Sequence, residues 1–160
     1  MADPDRRRSR EGVVAVKIRV NLIKDPMFAS FSTDGNVSVD GGTLHIPPGT
    51  LRLIDLGDVL EPGVTYRLGC RIDQLGDWTG PEAHSPVWMH PDDWVPSIDL
   101  WENGDGISSG TITTGERKPF QIELRSYGDG VEVSDLILER MDTFDPSVPF
   151  FHGDTMPLDA

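Results

Sequence analysis

The sequence predicts an all-β protein, built as an antiparallel β-sandwich or a barrel, and three observations predict it. Apolar and polar residues alternate at a period of two in several stretches, which is the pattern of strands with one buried face. Turn-forming Gly and Pro separate these stretches at roughly 8–12-residue intervals, as in sandwiches and barrels. No stretch combines a sustained helical period with capping residues, so we expect almost no helix.

The strand patterns follow one another through the middle of the chain. The clearest are residues 14–20, 66–72 and 120–124, where alternate apolar side chains are expected to face the core. Tyr66 and Leu68, for example, alternate with polar neighbours. The shorter candidates are residues 36–39, 43–46, 51–56, 95–101 and 110–114.

The last strand changes phase along its length. Val131 and Val133 share one face, whereas Leu136 and Leu138 have the opposite parity. One extra residue near positions 134–135 restores the phase, so the sequence predicts a β-bulge there.

The chain of 160 residues has the size of one domain and divides into three parts. Residues 1–12 form a basic, polar arm, residues 13–142 form the sandwich, and residues 143–160 form a Pro/Phe-rich strap. The strap cannot form a core of its own, so we expect it to dock either on its own domain or on another subunit. The predicted assembly contacts are Arg6, Arg7, Arg8 and Arg10 of the arm and Phe144, Phe150 and Phe151 of the strap.

Composition excludes several classes of protein. The chain carries 27 acidic and 14 basic residues, for a net charge of −13, which argues against nucleic acid as a partner. No apolar run approaches the roughly 20 residues that cross a bilayer, and no secretory signal precedes the first strand. The single cysteine, Cys70, can form no internal disulfide and is expected in the core, so synthesis in a reducing cytoplasm is expected.

Three stretches resemble a known family of jelly-roll domains. Residues 20–28 read V-N-L-I-K-D-P-M-F, residues 60–68 read L-E-P-G-V-T-Y-R-L, and residues 131–139 read V-E-V-S-D-L-I-L-E. In order and spacing they resemble the opening, middle and closing motifs of carbohydrate-binding modules, whose galactose-binding-like domains are jelly rolls. The resemblance implies an antiparallel jelly-roll β-sandwich over residues 13–142.

A fourth stretch points to a biological setting. Residues 148–157 read V-P-F-F-H-G-D-T-M-P and are similar to a segment that follows such domains in minor tail proteins of actinobacterial bacteriophages. This resemblance implies a structural virion protein of the tail tip or baseplate. Such a protein is made in the cytoplasm of the bacterial host and located in the virion. Its expected partners are other virion subunits, and it is expected to form homo-oligomers in the particle. Adhesion to a host cell-surface glycan is a further expectation. The alternatives are a capsid decoration protein with the same jelly roll and a carbohydrate-binding module of a secreted hydrolase.

Sugar binding requires exposed aromatic faces with polar groups beside them. Trp78 lies in a Gly-flanked loop and is expected to be exposed, and Trp101 is expected to point outward beside Asp99. For each tryptophan, packing in the core or rim and a protein–protein contact are the alternatives to glycan binding. The candidate glycan-binding residues are Trp78, Trp88, Trp94, Trp101 and His84.

One structural calcium is a candidate cofactor, because domains of this family often hold one between the opening motif and the closing strand. The resemblance places Asp25 and Asp135 at or near these ligand positions, but Ala29 stands where the family has an acid. His84 and His90 with the neighbouring acids match no zinc spacing, and a polar rim loop is the preferred interpretation.

No residue constellation supports catalysis, so we expect no enzyme. Residues 106–110 spell G-x-S-x-G, yet a nucleophile elbow needs a helix after the serine, and strand-like residues follow here. The acidic residues are too scattered to nominate a glycosidase pair.

Overall fold

The protein is mostly β-structure. The computed structural model describes residues 18–31, 36–104, 106–116, 118–148, 150–151 and 155–157. Within these ranges there is no α-helix, only short 3-10 turns at Ala29–Phe31 and Met141–Thr143, so the predicted all-β class is confirmed. In the described part of the chain no helix is long and apolar enough to span a membrane.

Eleven strands are found in the described residues, and we number them in chain order. They are β1 (Ile18–Val20), β2 (Ser38–Asp40), β3 (Thr43–Ile46), β4 (Leu51–Gly57), β5 (Thr65–Leu75), β6 (Val87–Pro91), β7 (Ile98–Leu100), β8 (Ser108–Thr113), β9 (Phe120–Arg125), β10 (Gly130–Arg140) and β11 (Thr155–Pro157).

The strands form two antiparallel sheets and a separate two-stranded ribbon. One sheet has the order β2-β3-β10-β5-β8, the other has the order β4-β9-β6-β7, and β1 pairs with β11. Buried residues from both sheets, such as Leu68 of β5 and Ile122 of β9, belong to one apolar cluster. The two sheets therefore enclose one core between their inner faces, and their outer faces are left for other contacts.

The predicted alternation agrees with the observed burial. Leu68 and Cys70 on β5 and Ile122 and Leu124 on β9 are all buried. The predicted strand at residues 95–101 is shorter in the structure, where β7 has three residues. Strand β6 was not predicted at all. The first part of the predicted strand 14–20 lies outside the described residues, as does the basic arm.

The predicted bulge in β10 is confirmed. Ser134 lies opposite Arg71 of β5, and Ile137 lies opposite Gly69, so β10 has one more residue than its partner between these two pairs. Asp135 takes a positive φ of 55° at this point. The shift turns Leu136 toward the core, as the change of phase in the sequence requires.

Asn21 fixes the chain beside this bulge. Its Nδ2 donates to the carbonyl oxygen of Leu136 at 3.0 Å, and its Oδ1 accepts from the backbone N–H of Leu138 at 3.1 Å. The same oxygen accepts from the N–H of Ile23 at 3.1 Å. A side-chain amide can imitate a peptide group in this way because it carries both a donor and an acceptor. It satisfies backbone groups around the irregular part of β10.

Candidate binding face

The outer face of the four-stranded sheet carries an unusual concentration of aromatic and charged side chains. Trp88 of β6 lies between Glu123 of β9 and Asp99 of β7, and His90 lies opposite Gln121 of β9. Residues opposite one another across antiparallel strands have Cβ atoms about 4.5–5.5 Å apart, so these side chains are neighbours. We call this surface the open face, and it comprises Leu51, Leu53, Asp55, Trp88, His90, Trp94, Asp99, Trp101, Gln121, Glu123 and Arg125.

Three rings form a stack at the centre of the open face. The ring of Trp94 lies 5.0 Å from that of Trp88 with 23° between their planes, and 4.4 Å from that of His90 with 22°. His90 is buried, whereas Trp94 keeps 54% of its surface exposed. Trp94 is therefore the outermost ring and offers an aromatic surface to solvent.

The loop after β6 brings Trp94 into this position. Its backbone N–H donates to the carbonyl oxygen of Pro91 at 3.1 Å, which closes a tight turn. Trp94 has a φ of 70°, a conformation that costs a bulky residue energy and is often found at functional sites. A salt bridge between Asp93 and Lys118 ties the loop to the segment before β9.

Polar contacts hold the inner two rings in place. The Nε2 atom of His90 lies 2.8 Å from Oε2 of Glu123, and its Nδ1 atom lies 2.6 Å from the carbonyl oxygen of Pro91. The guanidinium carbon of Arg125 lies 5.3 Å from the ring centre of Trp88, within the range of a cation–π contact. These contacts within the domain thus hold the rings of Trp88 and His90 in place.

One polar atom at the base of the stack has no partner. The indole Nε1 of Trp88 is buried and makes no hydrogen bond within the part of the chain that the structure describes. Buried N–H groups are nearly always satisfied, so an unpaired one is a feature to explain.

The prediction that Trp78 is exposed is wrong. Only 8% of its surface is exposed, and its Nε1 donates to the carbonyl oxygen of Leu75 at 2.9 Å. His84 and Tyr127 pack against it edge to face. Because burial disfavours the charged form, the pKa of His84 is lowered. A Gly-rich loop suggested exposure, but here the glycines let the loop fold tightly around the indole.

Trp101 behaves as predicted. It is 44% exposed, while its neighbours Ile98 and Leu100 are buried. Its side chain makes no ring contact with any described residue, so it is not part of the stack.

The two predicted calcium ligands are engaged with different partners. Asp25 accepts hydrogen bonds from the backbone N–H groups of Ala29 and Ser30 at 2.9 and 2.8 Å. Burial opposes the shift, but these bonds and that of the Ser30 hydroxyl lower the pKa of Asp25. Asp135 pairs with Arg71 at 3.1 Å. Among the described residues, no group of three or more His, Cys, Asp or Glu is placed to hold a metal, and the calcium site stays a prediction.

The strap covers part of the outer face of the other sheet, around Glu139 of β10. Glu139 of β10 holds Arg19 through two hydrogen bonds of 2.8 Å, and both side chains are fully buried. Arg19 also donates to the carbonyl oxygen of Val148 at 2.7 Å, and its guanidinium carbon lies 5.0 Å from the ring centre of Phe151. The described part of the strap therefore packs on its own domain.

A second arginine, Arg67 of β5, lies opposite Glu139 on the neighbouring strand. The guanidinium carbon of Arg67 is 4.2 Å from the ring centre of Phe144, and its Nη1 has no hydrogen-bond partner among the described residues. Its pKa is lowered by burial and by the charge of Arg19, against the opposing effect of Glu139. We call Arg19, Arg67, Ile137, Glu139, Phe144 and Phe151 the covered cluster.

No protein-family model matches the chain, and a search of curated proteins finds no match.

Sequence reasoning named the tryptophans of the open face but not their polar neighbours. Glu123, Arg125 and Asp99 join the site only because β6 lies between β9 and β7, a neighbour relation that a single sequence does not contain. The signal that could have revealed β6 is the alternation of Val87 and Met89 with Trp88 and His90, which flanking prolines obscured.

Proposed function

We propose that the protein is a glycan-binding β-sandwich of the jelly-roll type that serves as a structural, non-enzymatic component of a bacteriophage tail. The observation that carries the binding role is the solvent-exposed stack of Trp94 on Trp88 and His90. Flat aromatic surfaces pack against the apolar face of a pyranose, and adjacent polar groups fix its hydroxyls. The open face supplies both, with Gln121 and Asp99 beside the rings.

The arrangement is rigid before binding, which favours a recognition role. His90 is buried and held by two polar contacts, and the loop carrying Trp94 is tied down by the contact between Asp93 and Lys118. A preformed platform loses little conformational freedom when a ligand binds. A backbone conformation that strains Trp94 and leaves more than half of its surface exposed favours a role in recognition over a role in packing alone.

The virion role is supported by sequence. The opening, middle and closing motifs resemble those of carbohydrate-binding modules, and residues 148–157 resemble a segment of phage minor tail proteins. The mixed strand order of both sheets, in which strands distant in sequence are neighbours, is compatible with the jelly-roll connections of that family.

A glycan array tests the binding role. We expect the wild-type protein to bind a subset of oligosaccharides and Trp94→Ala to lose that binding. Met141→Ala is the matched control, because it removes an exposed apolar side chain that follows β10 of the other sheet. Binding that survives in Trp94→Ala, or that is lost equally in Met141→Ala, would reject the open face as the site.

Immunogold electron microscopy of phage particles tests the virion role. Label at the tail tip is the expected result. Label over the capsid would instead favour the decoration protein with the same fold, and particles without label would reject a virion role altogether.

A further inference from the structure

We propose that the open face selects sugars that carry a protonated amine, such as glucosamine units, over neutral and acidic sugars. This inference rests on the proposed glycan-binding function and adds the chemical class of the ligand. It follows from how charges are distributed around the aromatic stack.

Carboxylates flank the stack on both sides. Asp99 of β7 and Glu123 of β9 lie directly opposite Trp88, one strand away in each direction. Asp55 of β4 lies opposite Gln121, which itself lies opposite His90. Asp99 and Glu123 are therefore direct cross-strand neighbours of Trp88, and Asp55 lies on the same face two strands from His90.

The cations of the open face leave this negative charge largely uncompensated. Arg125 packs over the ring of Trp88 at 5.3 Å, and no described contact joins it to Asp99 or Asp55. Asp99 accepts from the hydroxyl of Ser85 at 2.8 Å, and Asp55 accepts from the N–H of Gly57 at 2.9 Å. Both partners are neutral groups, and both carboxylates are exposed.

An exposed indole with carboxylates beside it suits a cation. The face of an aromatic ring attracts ammonium groups, most strongly for Trp, and nearby carboxylates add direct attraction. The same charges repel uronic acids and other anionic sugars. Trp94 provides the ring face that remains exposed, so an amino group on a stacked pyranose would meet both features at once.

The test compares two oligosaccharides that share rings and linkages and differ in the group on the 2-nitrogen, a neutral acetamide in one and a protonated amine in the other. Chitotetraose is the neutral, N-acetylated tetramer, and its fully deacetylated form carries amines on the same rings and linkages. By calorimetry near pH 6, we expect the deacetylated tetramer to bind the wild-type protein at least about threefold more tightly, the size of one exposed cation–π contact. We expect this preference to shrink as salt is raised.

Two variants separate local recognition from general attraction to an acidic protein. Asp99→Asn should bring the ratio of the two affinities toward one. Asp73→Asn is the matched control, because it removes the same charge from an exposed position on β5 of the other sheet, and it should leave the ratio unchanged. Trp94→Ala should abolish binding of both tetramers.

Three outcomes would overturn the inference. Equal or tighter binding of chitotetraose would remove the charge preference but leave the proposed glycan-binding function intact. Binding of the deacetylated tetramer that persists in Trp94→Ala would show nonspecific attraction. Binding of other sugars on the array, lost in Trp94→Ala, with neither tetramer bound would also reject the amine preference. Only the absence of any Trp94-dependent sugar binding would reject the proposed function itself.

Discussion

The two sheets of the sandwich carry similar residues on their outer faces, but these residues are covered by a later segment of the chain on only one of the sheets. On one, Glu139 and two arginines lie beneath the rings of Phe144 and Phe151. On the other, Glu123 and Arg125 lie beside the rings of the open face. Both clusters combine a glutamate, a cation and aromatic rings, but only the first is sealed from water by a later segment of the chain.

We infer from this difference that a cluster covered by a later segment serves stability, whereas an uncovered cluster can serve binding. When a later segment excludes water, an ion pair and the neighbouring rings are buried together. Removing one charged member then leaves the other buried charge without compensation and destabilises the fold. On the open face Glu123 and His90 are themselves buried, but the exposed ring of Trp94 contributes less to stability and remains available to a ligand. We therefore expect substitutions in the covered cluster to change stability and substitutions on the open face to change binding.

The largest effect is expected from Glu139→Gln. The variant keeps the shape of the side chain but leaves two buried guanidinium groups without a counter-charge, which should lower the free energy of unfolding by about 3–5 kcal/mol. Urea denaturation measures it. The control is Arg71→Gln, which breaks an ion pair with Asp135 that is largely exposed and should cost less than about 1 kcal/mol. Similar losses in both variants would contradict the distinction.

A smaller loss is expected from Phe144→Ala. The ring is half-buried and lies 4.2 Å from the guanidinium carbon of Arg67 and 5.5 Å from that of Arg19. Its removal should cost about 1–2 kcal/mol from lost apolar burial and two cation–π contacts. Thermal unfolding would show the loss. Glycan binding should be unchanged, and reduced binding would mean that the strap also serves the open face.

The core between the two faces should respond to pH through Cys70. Burial raises the pKa of its thiol to about 12, against an ordinary value of 9.0. The neutral thiol stabilises the fold fully below pH 9, and this contribution is lost as the pH rises from 9 toward 12 because only the unfolded state ionises freely. We expect about 1 kcal/mol less stability at pH 10 than at pH 8, measured by urea denaturation. Cys70→Ala should lack this part of the decrease, and an identical decrease in both proteins would contradict the assignment.

The smallest effect on stability is expected from Trp94→Ala. The side chain is more than half exposed, so losing its two ring contacts should lower the free energy of unfolding by less than about 1 kcal/mol. Circular dichroism during thermal unfolding measures this change. A large destabilisation would show that the stack is a structural element rather than a binding platform.

Much of the fold could be predicted from the sequence because it depends on local periodicity. The alternation on β5 and β9 and the phase change on β10 follow from which residues must face the core. The bulge at Asp135 is an example in which a single inserted residue leaves a clear trace.

The site was harder to predict because it depends on which strands are neighbours. Trp88 and Glu123 are 35 positions apart, and only the placement of β6 beside β9 brings them together. The prediction that Trp78 is exposed was wrong for a related reason. Its loop looks polar, yet contacts with Leu75 and Tyr127 bury it, and a sequence pattern contains no information on such contacts.

The most direct test of the open face is a two-dimensional NMR titration of the four indole N–H signals with deacetylated chitotetraose. We predict that the signals of Trp88 and Trp94 shift strongly, because one donor is unpaired and the other ring is the platform. The buried Trp78 should stay in place as an internal reference. Shifts confined to Trp78, or none at Trp88 and Trp94 at saturating sugar, would contradict the assignment of the open face as the binding surface.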